Sequence, residues 1–327
     1  MTAVAAEAGR AQNARRISMS MGYEWSLALF EVLGIVVLSM TTAGAFLRVT
    51  NLRALLVDIA TIALPGAGMT LVIASAGIDV SIGSLLGLVA VVAGMLFEHN
   101  VPVIVVLGVA AVVGGLGGVV NGTLITKLRL PPIIVTLGML SIWRSMVFAL
   151  LGGNWISSIP LSLTSLTVLD GLGFLPYSFV FAIAVVLLFS YISRKRHIGR
   201  VIYAIGSNNE AARVSGLPVQ RAIMFAYCSL GVLTAIAAMM TLGQSTLVQA
   251  NTGSGFELSV IAAVVVGGTS ILGGTGSVMG SVLGAVLVEL VQDAVVLYRV
   301  QPFWQGVVLG GIILVAVSVG LAKKSQR

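Results

Sequence analysis

Residues 103–126 read VIVVLGVAAVVGGLGGVVNGTLIT, a long run without a single charge. About 20 apolar residues, each rising ~1.5 Å, cross a ~30 Å hydrocarbon core. The stretch is therefore read as a membrane-spanning helix. Its glycines at 114, 118 and 122 have the four-residue spacing that lets helix backbones approach closely in lipid.

Nine further apolar stretches surround it, at about 25–45, 55–76, 80–97, 132–151, 177–193, 222–242, 256–268, 277–297 and 304–321. The chain has 327 residues, 58% hydrophobic and 9% charged. Soluble domains carry roughly 25% charged residues, so this one cannot cover a water-facing surface. The fold class that follows is all-α, a polytopic membrane protein with about ten transmembrane helices. Alternating ~10-residue strands of a membrane barrel are not found. The stretch 256–268 is short for a span and lies between Gly-rich pieces, so a broken or re-entrant helix is expected there. Irregular backbone at membrane depth is tolerated only inside protein or along a cavity.

The net charge of +7 could suggest nucleic acid. The distribution of basic residues gives a simpler account, and no nucleic-acid partner is expected. With ten spans, fourteen of the eighteen Lys and Arg fall on one side: in the tail (Arg10, Arg15, Arg16), the 127–131 turn, the 194–221 loop and the C-terminus. Only Arg48, Arg53 and Arg299 fall opposite, and Arg144 lies within a span. The positive-inside rule then predicts a multi-pass protein of the inner (plasma) membrane with both termini cytoplasmic. Residues 1–24 read as a short tail rather than a signal peptide. Residues 25–321 form the membrane domain and 322–327 a second tail. Cys228 is the single cysteine, and the two histidines, His99 and His197, stand outside any metal-binding spacing, so no metal site is expected.

Three motifs carry chemistry. The 194–221 loop reads RKRHIGRVIYAIGSNNEAARVSGLPVQR. Asn208 or Asn209 can cap a helix of about two turns there, with Glu210 suiting its positive end. Ala211, Ala212, Arg213 and Val214 continue it, and Ser215-Gly216-Leu217-Pro218 stops it. So short a helix is marginal in water and needs a partner; the alternative is a plain connecting turn. Second, Asp79 sits between apolar stretches near Ser81 and Ser84. It can cap the helix beginning near Ser81, or serve as a gate or substrate contact. Third, residues 253–281 are rich in Gly, Ser and Thr. Gly267, Gly268, Thr269 and Ser270 could offer carbonyls and hydroxyls to a translocation path for an uncharged polyhydroxylated solute, or could form a tight turn. Glu289 and Asp293 share a helix face, with Arg299 as a possible partner. Arg144 needs a carboxylate or carbonyl partner that the sequence does not name.

The run Gly206-Ser-Asn-Asn-Glu-Ala-Ala-Arg-Val-Ser-Gly216 resembles the coupling-helix segment of permeases from bacterial ABC importers of the ribose and monosaccharide class. Gly77-Ile-Asp-Val-Ser-Ile-Gly-Ser84 and the Gly255–Ser277 region agree, and the resemblance runs from about residue 50 to 320. It implies a dimeric permease, with a second copy or a paralogue. It also implies a cytoplasmic ATPase subunit docking on Gly206–Gly216 and a periplasmic or lipid-anchored solute-binding protein. No lysine here follows a glycine, so the chain lacks a GxxxxGK[ST] phosphate loop. ATP is then expected on the partner ATPase, with no cofactor in this chain. The alternative is a secondary transporter driven by an ion gradient. It is disfavoured by the coupling segment and by the lack of a carboxylate pair at the membrane midplane.

Overall fold

The computed structural model describes residues 24–169, 171–301 and 303–325. The expected N-terminal tail with Arg10, Arg15 and Arg16, and Arg327, lie outside the described residues.

All ten apolar stretches are helical. They are α1 (Glu24–Thr41), α2 (Val49–Ala74), α3 (Ile82–Glu98), α4 (Val103–Thr126) and α5 (Pro132–Leu151). After a short α6 (Leu161–Thr164) come α7 (Tyr177–Lys195), α8 (His197–Ser207), α9 (Asn209–Val214) and α10 (Val219–Ser245). The chain ends with α11 (Phe256–Val266), α12 (Val278–Leu297) and α13 (Phe303–Ser325). Seven of these are long and apolar enough to cross a membrane: α1, α2, α4, α5, α7, α10 and α12. Between α6 and α7 lie a π-helical turn (Ser165–Leu169) and a two-residue hairpin, β1 (Gly171–Leu172) with β2 (Leu175–Pro176).

The bundle is organised around α2, which is buried along nearly its whole length from Ile59 to Ala74. In water an all-round apolar helix would be a liability, but here it is the central post against which α7, α10, α11 and α12 pack. The tightest seam is between α4 and α10, and the glycines of the 103–126 stretch make it. A Cβ at Gly118 would sit 2.8 Å from the Cys228 Cα, and one at Gly114 would overlap the Gly231 carbonyl. Such contact is open only to glycine, and it brings backbones close where no hydrophobic effect drives helices together. The faces turned outward are apolar, as lipid requires: Ile104, Val112 and Leu116 on α4 are 76%, 61% and 58% exposed.

The lysines and arginines of the 127–131 turn and the 194–221 connection gather at one end of the bundle, called the basic end below. There Arg194 at the end of α7 pairs with Glu24 at the start of α1 (3.9 Å), and Ser277 bridges to the same Glu24 (2.7 Å).

The connection 194–221 departs from expectation. Only one short helix is predicted within it, but the structure has two, α8 and α9. Val201, Ile202 and Ile205 of α8 are buried while Arg200 is exposed. That pattern is an amphipathic helix lying on the bundle. Gly206 belongs to α8 rather than to the shorter helix that follows.

Candidate transport site and coupling surface

The short helix α9 forms where capping predicts. Asn208 is extended (φ −163°), and its side-chain Oδ1 accepts from the Ala211 amide at 2.9 Å. Glu210 is exposed in the first turn, beside Asn209. At the other end Gly216 adopts φ +72°. Its amide donates to the Arg213 carbonyl at 3.0 Å, and the Leu217 amide to the Ala212 carbonyl at 3.1 Å. These paired bonds close a Schellman motif. Ala212 is buried, whereas Ala211, Arg213 and Ser215 are exposed and Val214 is 88% exposed. An apolar side chain is thus presented at the tip of the basic end.

Behind α9, α8 packs against the end of α2 and the 267–277 turn. A Cβ at Gly206 would overlap the Ala74 carbonyl at the end of α2 and the Gly274 amide of the 267–277 turn. Those two groups are hydrogen-bonded to one another at 2.9 Å. Tyr203 of α8 donates to the Gly276 carbonyl at 3.1 Å, and burial raises its phenol pKa, keeping it a donor. The turn itself is tight. Gly267 meets the backbone of Gly280, Gly268 takes φ +90°, Thr269 is buried against Gly276, and the Ser270 amide donates to the Thr275 carbonyl. The segment is a tight interhelical turn under α8.

Asp79 is buried within the bundle. It is 3% exposed and holds three donors: the Ser81 amide (2.9 Å), the Ser81 hydroxyl (2.6 Å) and the Asn121 amide of α4 (3.0 Å). It caps the start of α3 from two residues before it, with Ser81 itself at the N-cap position. Ser84, one turn on, is also buried. Asn121 and Tyr227 complete this cluster, and sequence reading passed over both. A lone Asn inside the uncharged 103–126 run was the available signal. Asp79→Ala would leave the Ser81 amide and hydroxyl without their acceptor, and would leave the Asn121 amide only its bond to Ser81 Oγ. The expected cost is on the order of 3 kcal/mol, read as lower thermal stability of the detergent-solubilised protein. Unchanged melting would show that the network adds nothing.

The most unusual backbone lies between α10 and α11. Val248 pairs with Ile156 in an isolated bridge, and both lie against Gly94 near the far end of α3. Five residues later Gly253 lies against Gly83, near the beginning of α3. From Gly94 to Gly83 the chain descends about 16 Å at 1.5 Å per helical residue, about half of a ~30 Å core. The span that ends in the eighth apolar stretch is therefore broken, with irregular backbone over 246–255 to mid-depth and then the half-helix α11 continuing to the basic end. Arg144, past the middle of α5, secures the irregular part. Its guanidinium donates to the carbonyls of Ala250 (2.9 Å) and Thr252 (2.8 Å). The partner that the sequence left unnamed is thus a pair of backbone carbonyls. Glu257, in the first turn of α11, attracts the same guanidinium. Its carboxylate and the Gly253 carbonyl occupy the space that a Cβ at Gly83 would need, and the Thr252 carbonyl does so at Gly87.

At the end away from the basic surface, Asp58 lies close to Glu289 and Asp293. Asp293 accepts from Asn51 at 3.1 Å. The described residues therefore give it an amide partner where Arg299 was expected.

The profile described as branched-chain amino acid transport system / permease component matches residues 51–317. The chain is 34% identical to the autoinducer 2 import system permease protein LsrC of Yersinia pestis over 288 residues, 88% of this chain and 80% of that protein. It is 34% identical to the LsrC of Klebsiella pneumoniae over 287 residues, 88% of this chain and 83% of the relative. No solved structure matches it. Ten apolar helices with a capped helix at one end agree with that match. The chain belongs to the branched-chain amino acid transport system / permease component family, membrane-spanning subunits of ATP-driven importers.

Proposed function

We propose that the chain forms the translocation path of an importer for a sugar or sugar-like solute, in the inner membrane with its basic end and both termini in the cytoplasm. The charge asymmetry supports that orientation. The relatives' names specify import of autoinducer 2, and a small hydroxylated cargo of that kind is the class we assign. The other subunits are a cytoplasmic ATPase, a solute-binding protein that delivers the cargo, and a second permease copy or paralogue.

The observation carrying this reading is α9. It is capped at both ends, and it leaves Val214 almost fully exposed at the basic end. Within its own chain, Ala212 is the residue of this helix that is buried. A six-residue helix does not hold itself in water, so a docked partner gives the capping a purpose. The power source then lies outside the chain, and α8 carries displacement to α2 and to the 267–277 turn.

Asn208→Ala combined with Gly216→Val removes the cap, worth about 1 kcal/mol, and places a β-branched residue at positive φ, costing another ~1–3 kcal/mol. Co-purification of the ATPase subunit is expected to drop at least tenfold, with normal membrane insertion. Unimpaired association and uptake would refute docking on α9. The purified chain alone should hydrolyse no ATP. Uptake that survives without the ATPase and collapses with a protonophore would instead assign the work to an ion gradient, with Asp58, Glu289 and Asp293 as the groups to examine.

A further inference from the structure

The surface beside the broken span is polar at a depth where lipid demands otherwise. Asn251 and Ser254, on the irregular backbone, are exposed. On α5, Ser141 and Ser145 flank Arg144 and are exposed too. The depth of this patch follows from the descent of residues 248–253 along α3 and from the place of Arg144 in α5. The polar positions interrupt an otherwise apolar surface: Leu137, Ile142, Met146 and Phe148 of α5, Leu258 of α11, and Val112 and Leu116 of α4 are all exposed. Irregular backbone at membrane depth is tolerated only inside protein or along a water-filled cavity. The carbonyls from Val248 to Gly253 are all partnered, so the polar groups left facing outward are the side chains of Asn251 and Ser254.

We propose that Asn251 and Ser254, with Ser141 and Ser145 of α5, line the aqueous translocation path at mid-membrane, and that this wall suits an uncharged polyhydroxylated solute. The patch offers a side-chain amide and three hydroxyls, all able to exchange hydrogen bonds with a polyol. Its one cation is unavailable to an anionic cargo, because Arg144 is spent on the Ala250 and Thr252 carbonyls and faces the charge of Glu257. The close contacts of Gly83 and Gly87 with this segment hold the wall rigid against α3. Its cargo class rests on the importer reading, but its wetness does not.

The test uses the full chain assembled with its partner subunits in membranes, with Cys228 replaced by Ser. Single cysteines are introduced as Asn251→Cys, Ser254→Cys and Ser145→Cys, with Val112→Cys and Leu116→Cys as lipid-facing references. A membrane-impermeant cationic thiol reagent is added from either side. The first three should react at least ten times faster than the references, and should lower uptake once modified. Equal, slow reaction at all five positions in a normally inserted protein would overturn the proposal, because the patch would then be dry. Loss of ATP-driven uptake in the unmodified parent would instead count against the importer reading and leave the labelling pattern to be judged by itself.

Discussion

Replacing Gly206 by leucine will cut ATP-driven uptake to below a tenth of the parental rate while the protein still inserts and still binds its ATPase. A Cβ there falls on the Ala74 carbonyl and the Gly274 amide. Both are backbone groups already bonded to each other, so neither can swing aside as a flexible side chain would. Overpacking costs typically 1–3 kcal/mol, too little to unfold a ten-helix bundle. It is enough to separate α8 from the end of α2 and from the 267–277 turn. The docking helix itself is untouched. The expected signature is therefore hydrolysis without transport, measured as ATPase activity and solute uptake on the same reconstituted complex. Parental uptake in this variant would mean that α8 does not carry the motion.

Arg144→Met should be as severe for a different reason. The substitution roughly keeps volume and removes both donors to the Ala250 and Thr252 carbonyls. Hydrogen bonds to a charged group are worth about 1.5–3 kcal/mol each. The carbonyls would be orphaned at membrane depth, and Glu257 would lose its cation. We expect uptake at background and a loss of stability on the order of 3–5 kcal/mol, seen as lower yield and earlier thermal unfolding in detergent. Arg144→Lys should recover part of the stability, since one ammonium can reach a carbonyl but lacks the guanidinium's fork. If the Met variant transports normally, the broken span is held by other contacts.

The sequence makes most of the bundle legible, because a span is long, uncharged and bounded by charge. The half-helix α11 shows in advance as a stretch too short to cross. The limits of α9 are readable because Asn, Gly and Pro act through local backbone geometry. What escaped reading depends on distant contacts. Ile198, Val201, Ile202 and Ile205 have helical spacing, yet they sit within a basic run that reads as a loop, and α8 forms because the bundle buries them. Backbone carbonyls have no side-chain signature, so Arg144's partners could not be named. The donor that holds Asp79 from across the bundle, Asn121, is forty-two positions away and carries no local signal. The close packing of Gly267 on Gly280, which makes the Gly267–Ser270 segment a tight turn, joins residues thirteen positions apart and has no local signature.

The half-helix also constrains how the protein is made. An eleven-residue helix spans about 16 Å, so α11 cannot leave the translocon as an independent hydrophobic segment. It must enter as part of a hairpin with α10 or α12, after the preceding spans are already in the bilayer. Arg144 belongs to one of those earlier spans, and it waits there with both donors unspent. Synthesis from the N-terminus thus puts the receptor for the irregular backbone in place before that backbone emerges. A chain rearranged so that α11 came first would have to carry bare carbonyls into the membrane.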